Sequence, residues 1–257
     1  MKFNNNYTIG KNVRIGKRVR IGDRTVIYDN VTLGDDVTIA NDCILGEPLN
    51  DYYQSRNYSN PRLTIGSGSL IRSHTILYAG SSFGEGFETG HRVTIREHTR
   101  IGAHCSIGTL SDIQGRVQMG DYCRVHSNAH ICQETKIGRF VYIYPYVVFT
   151  NDPTPPSNVC IGSKVRDYAI ISTGSLIMPG LTIGTNSLVG AGCVVTKDVK
   201  PYSLVLGVPG KHVCDVREIP SREQDGKKHY PWMNNFSRGK PWDNRGYQTW
   251  LKKQSKK

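Results

Sequence analysis

Asn151 and Asp152 stand immediately before three prolines in the stretch VVFTNDPTPPS, and polar residues recur behind them at eighteen-residue steps. From Asn151 the steps fall on Gln133, Gly115 and Glu97; from Asp152 they fall on Glu134, Arg116 and His98. These side chains bring together carboxamide hydrogen-bond donors, carboxylates and an imidazole able to move protons, and a guanidinium able to hold an anion. His91, in TGHRVTIRE, is a second imidazole that could serve as the base. Pro153, Pro155 and Pro156 lack amide hydrogens and cannot extend a strand ladder, so the chain must leave any regular element just after Asn151.

The element it leaves is set by a period of six. Stepping from Ile65 to Phe149 by six residues meets an apolar side chain at fourteen of fifteen positions, Thr89 being the exception. A second series, four residues after each of these, is small or β-branched except at Phe87. The same rule runs from Ile9 to Leu45 and from Ile171 to Val195. Neither helical nor simple strand spacing gives two inward positions in six, whereas a solenoid of short parallel strands and tight turns does. Cys43, Cys105, Cys123 and Cys193 occupy the small inward position and read as packing residues, and seven cysteines without a CxxC pair fit a reducing compartment.

Units such as IGKNVR, IGAHCS and IGTNSL resemble the hexapeptide-repeat acyltransferase family, whose repeats build a left-handed parallel β-helix with three hexads per turn. The resemblance implies an all-β fold of about nine coils over residues 1–213, with loop insertions at 47–62 and 151–170. A C-terminal aromatic and basic extension, 214–257, is expected to end in a short helix from about Tyr247. Residues eighteen apart would then stack at the strand spacing of about 4.8 Å, making one polar corner of the two columns above.

FTND before a proline-rich loop resembles the members of this family that N-acylate amino sugars carried on nucleotides. That resemblance puts Asn151 against the substrate or the oxyanion; Gln133, with Glu134 beside it, stands where many relatives carry a Glu. Asp152, Glu97 and Arg116 become substrate-binding candidates, and His91 or His98 the base if one is used. The segment VGAGCVVTKDVKPYSLVLGVPGKHV resembles the end of the acyl-CoA-dependent members. It implies a pantetheine path along Gly174, Gly192 and Gly210, where small residues allow close approach, and CoA phosphates near Lys197 and Lys211. It also implies a homotrimer with the two substrates meeting between subunits.

The net charge is +12, and residues 211–257 hold twelve Lys and Arg against five Asp and Glu. No recognition helix or aromatic nucleic-acid motif accompanies that charge, so a nucleic-acid partner is not expected. No apolar run is long enough to span a membrane and no hydrophobic leader opens the chain, so a cytoplasmic protein without membrane insertion is expected. His91, His126 and His130 miss a three-histidine metal spacing by one residue per step, so no metal is expected. The expected function is transfer of an acetyl or related acyl group from acyl-CoA to the amine of a nucleotide-linked amino sugar in surface polysaccharide or glycan assembly. An O-acetyltransferase, which would need a true histidine base, and a non-catalytic β-helix scaffold are the alternatives.

Overall fold

The computed structural model describes residues 6–221 and 227–254, and in them the period of six becomes a triangular prism. Each hexad contributes a short strand to one of three sheets, with strands paired in parallel to the third one after them until the last coil. The first face has ten strands, the second nine, and the third eleven. Nine coils are complete from Thr8 to Val189 and a tenth begins at Val194–Val195, in line with the expected coil number. Register is eighteen residues wherever nothing is inserted: Thr94 pairs Asp112, which pairs His130.

The apolar hexad residue points inward along the whole stack, and Ile39, Ile71, Ile95, Ile113, Ile131 and Ile143 are sealed from solvent. Each such side chain is worth about 1.5–3 kcal/mol of transfer free energy. The two exceptions to the pattern explain each other. Phe87 fills a slot reserved for a small residue and stacks on Phe83 at 4.6 Å, while the neighbouring large slot holds Thr89. Thr89 Oγ1 accepts from the Arg72 amide at 3.0 Å, so total volume is conserved and the buried hydroxyl is satisfied.

Corners are cut by residues in the left-handed region, one every six residues, among them Asn12, Asp36, His74, His98, Arg116, Glu134 and Tyr146. Short polar side chains tolerate this conformation best, which explains several histidines as turn formers. Two insertions interrupt the stack. The first, between Ile44–Glu47 and Leu63–Ile65, contains a single 3-10 turn at Asn50–Tyr53. The second is shorter than the expected 151–170: Lys164–Val165 already pairs with Lys136–Ile137, so the protrusion spans only 152–161.

The C-terminal end departs from the parallel rule. Ser203–Leu206 is followed by an antiparallel strand, Lys211–Asp215, which covers the last coil and moves the end of the solenoid to Asp215. Beyond it, Trp232, Met233 and Trp242 pack against Phe140 and Tyr142 of the solenoid's own coils. The closing helix runs over Tyr247–Gln254, starting where expected. Among the described residues no helix is long and apolar enough to cross a membrane.

Candidate functional site

The edge between the first and second faces carries the expected polar corner. Asn151 follows the strand Val148–Phe149, and Gln133 follows His130–Ile131 one coil earlier. Asn151 holds the root of the protruding loop with its backbone, accepting from the Ile161 amide at 2.8 Å. Its side-chain Nδ2 donates to Cys160 Sγ at 3.2 Å, and that thiol lies 3.7 Å from Gln133 Oε1. An exposed cysteine thus sits between the two carboxamides. Spacing gave no sign of it, because an inserted loop breaks the count of eighteen.

The other residues of the corner differ in how free they are. Glu97 is clamped by Arg96, with contacts of 3.0 and 3.1 Å, and its carboxylate lies over Gly115, where a Cβ would be only 2.6 Å from Oε1. It therefore reads as a brace for the Arg96 guanidinium. Glu134 is half exposed and faces Arg116 at 3.8 Å. His98 occupies a left-handed turn three coils before Asn151, with its ring laid over Gly80. Asp152 points into its own loop, accepting from the amides of Thr154 and Ser157 at 3.0 and 2.7 Å and from the Ser157 hydroxyl at 2.6 Å. The Ser157 hydroxyl, outweighing the small effect of burial, holds this carboxyl below its usual range. Its bonds shape the loop, so the expected stack of Asp152 on Glu134 is absent; Gly162 lies against Glu134 instead.

On the first face, one strand back from Gln133, His130 Nδ1 is 3.2 Å from Asp112 Oδ2. Gln114 Nε2 donates to the same carboxylate oxygen at 2.5 Å, and Arg96 Nη1 donates to Gln114 Oε1 at 3.2 Å. Burial raises the Asp112 pKa, but the bonds from His130 and Gln114 outweigh it and leave the carboxyl below its usual value. A carboxylate that binds Nδ1 leaves Nε2 outermost and able to take a proton. The eighteen-residue rule applied to the outward strand position, rather than to the turns, would have found this pair.

The third edge, between the third and first faces, carries His91 and the glycines. His91 Nδ1 is 2.7 Å from Ser73 Oγ, and its amide donates to Thr109 Oγ1 at 3.1 Å. Gly174 and Gly192 stand in the left-handed slot of later coils with φ of +70° and +68°, and nothing lies within 4 Å of where a Cβ would project. Gly210 does not join them, because the last coil closes early and Leu204 pairs with Leu188 sixteen residues back. It sits in the terminal hairpin against Cys193 and Val205, and with Lys197 and Lys211 lines a separate cavity of about 470 Å³. A further hollow of about 570 Å³ lies on the second face among Arg100, Lys136, Lys164 and Arg166. It gathers cations but no proton acceptor, since its one carboxylate, Asp167, is held by Arg139 at 3.6 Å.

The family described as Bacterial transferase hexapeptide (six repeats) matches residues 12–47. Bifunctional protein GlmU from Thermotoga sp. is 28% identical over 180 residues, covering 58% of this chain and 40% of that protein. Its counterpart in Xanthomonas campestris pv. campestris is 24% identical over 212 residues, covering 70% of this chain and 46% of that protein. The chain thus spans less than half the length of these curated relatives. The solved structure of an Arabidopsis UDP-N-acetylglucosamine acyltransferase superposes with a TM-score of 0.67 at 18% identity, covering 82% of this chain and 73% of that one. At that identity the likeness is one of fold.

Proposed function

We propose that this chain, a hexapeptide-repeat protein, is an acyltransferase that moves an acyl group, in the first instance acetyl, from coenzyme A to the amine of a nucleotide-linked amino sugar. The observation that carries the reading is the first face. Its one margin presents the Asn151 and Gln133 carboxamides, its centre the His130–Asp112 pair, and its other margin the bare corners at Gly174 and Gly192. The pantetheine arm runs along the glycine margin, where turn backbone is open to amide hydrogen bonds. The amine nitrogen attacks the thioester carbonyl carbon, forming the C–N bond, and the carbonyl oxygen takes up negative charge within reach of the Asn151 amide. Collapse of that intermediate breaks the C–S bond. His130 Nε2 accepts the amine proton and returns it to the departing thiolate, while Asp112 fixes the tautomer and steadies the imidazolium.

A prism whose two candidate margins lie on different edges is completed most simply by a three-fold ring, in which one edge of each copy meets another edge of the next. Light scattering on the active protein should report three chains; a fully active species of 28.7 kDa would reject that assembly.

O-acylation is the second reading, favoured by one observation. A sugar hydroxyl needs a base far more than a neutral amine does, and the His130–Asp112 pair supplies one. A panel of nucleotide-linked amino sugars and their hydroxyl counterparts, offered with acetyl-CoA and followed by free-thiol release, tests both. Turnover on an amine with only a modest loss in His130→Gln supports N-transfer; turnover on a hydroxyl alone, abolished in His130→Gln, supports O-transfer. No calorimetric binding of acetyl-CoA would leave only a scaffold.

A further inference from the structure

A cavity of about 330 Å³ separates the third face from the C-terminal extension, and its walls are unusually aromatic. Tyr142 and Tyr144 rise from the solenoid; His229, Tyr230, Trp232 and Phe236 close over them from the extension. Tyr142 meets Trp232 edge-on at 5.2 Å, so the two rings touch and make a continuous aromatic wall on one side of the slot. Tyr144 and Phe236 stay 38% and 39% exposed, so the slot has an open mouth. None of these rings is used by the chemistry proposed above.

The rim is polar in a particular way. The Asn235 side chain is oriented by donating to the backbone oxygens of His229 and Lys228, at 2.5 and 3.3 Å. Among the described residues its own oxygen accepts no hydrogen bond, which leaves one fixed acceptor at the cavity. Beside the mouth, His126 stacks on Tyr144 at 4.8 Å, and Arg124 pairs in register with Tyr142. Arg124 and His126, with the hydroxyls of Ser106, Thr109 and Ser127, line an adjoining hollow of about 200 Å³. Arg124 forms no ion pair among the described residues; the carboxylate in that hollow, Glu88, lies 4.0 Å from Arg72.

An aromatic slot with one fixed acceptor, opening onto an unpaired guanidinium and hydroxyls, is complementary to a planar base followed by phosphate. An acyl chain would leave the acceptor and the cation unused. We infer that this cavity seats the nucleobase of a nucleotide ligand, laid against its aromatic wall, with its phosphates over Arg124 and His126. The inference rests on the acyl-transfer reading for what the nucleotide is attached to, and position links the two. Tyr144 precedes the strand Val148–Phe149 at one margin of the first face, and Asn151 follows it at the other. A base in the slot would thus set the rest of the ligand beside the candidate site. Two ligands carry a base and phosphates: the nucleotide-sugar acceptor and acyl-CoA.

The test is titration of the full chain with uridine monophosphate, guanosine monophosphate and the adenosine bisphosphate portion of coenzyme A, read by tryptophan emission and by calorimetry. At least one should bind, about tenfold more weakly in Tyr144→Ala, with binding restored in Tyr144→Phe. Binding of uridine or guanosine monophosphate assigns the slot to the acceptor; binding of the adenosine compound alone assigns it to the acyl donor. Failure of all three up to about a millimolar, or equal affinity in wild type and Tyr144→Ala, overturns the inference. The two readings fail separately. Thiol release with an unchanged KM for both the acceptor and acyl-CoA in Tyr144→Ala sinks the slot and leaves the enzyme, whereas nucleotide binding without thiol release does the reverse.

Discussion

Two edges of one prism use the same left-handed turn slot for opposite ends. On the edge between the second and third faces the slot holds Tyr122, Phe140 and Tyr168, stacked at 5.2 and 5.0 Å with nearly parallel rings. On the edge between the first and second faces the equivalent slots hold His98, Arg116 and Glu134. The first column is apolar and is covered by the C-terminal extension; the second is polar and stays open. Backbone geometry is common to both, so the side chains in the slot decide whether an edge offers an apolar surface that a covering segment can bury.

The covered edge is secured by three anchors. Trp242 is fully buried against Phe140 at 5.0 Å, Trp232 Nε1 donates to Tyr168 O at 2.9 Å, and Lys240 Nζ donates to Tyr122 O at 2.8 Å. Lys240 Nζ also lies 4.6 Å from the centre of the Tyr142 ring, which offsets part of the cost of burying an ammonium group.

The sharpest way to break the contrast is to remove the anchor of the covered edge. Trp242→Ala should cost about 3–5 kcal/mol in denaturant unfolding of the extension while the strand signal of the solenoid persists. Unchanged stability would mean that the extension is held by something other than this aromatic column.

On the open edge, Asn151→Ala should lower kcat/KM by roughly a hundred- to a thousandfold, the loss of one oxyanion donor worth about 2.7–4 kcal/mol, with thermal stability preserved. Glu134→Gln should cost far less, because that carboxylate faces Arg116. Near wild-type kcat/KM in Asn151→Ala on the true substrate would move the chemistry off this edge.

The third edge offers a milder intervention. Gly192→Arg should raise the KM for acyl-CoA at a stability cost of roughly 1–2 kcal/mol, since Arg92 already occupies the same slot elsewhere with φ of +54°. An unaltered acyl-CoA KM in the folded variant would displace the proposed pantetheine path.

The smallest effect is a pH dependence. Burial pulls the Lys240 pKa down to about 8 from its ordinary 10.5, so the folded protein holds that proton less tightly than the unfolded chain does. Stability tied to this group therefore rises with pH between about 8 and 10.5 and is flat below 8. Burial raises Tyr142 to about 12, so its phenol stays protonated in the fold and opposes the gain once unfolded tyrosines ionise near 10. Buried thiols raised by the same cause, Cys43 to about 11 among them, oppose it as unfolded cysteines ionise, so the group is read by difference: the stability of wild type relative to Lys240→Met should rise from pH 8 to about pH 10. A difference that stays constant over that range would assign the dependence to another group.

Period, coil number, the inward series and the start of the last helix were all legible in the residues. They depend on contacts between a side chain and the coil beside it, and such contacts repeat at fixed sequence distance. That Asn151 and Gln133 share one edge was legible for the same reason. Where an insertion or a closing hairpin changes that distance, the count failed: Gly210 leaves the glycine column, Asp152 turns into its loop, and Cys160 arrives between two carboxamides unannounced. The aromatic slot was beyond reach altogether, because it joins Tyr142 to Trp232 across a chain separation that no repeat governs. What the sequence determined by itself is the prism, since a period of six leaves its apolar residues no other way to be buried together. What only the tertiary structure decided is which edge is covered and which face is left to work, because that depends on where a non-repeating tail folds back.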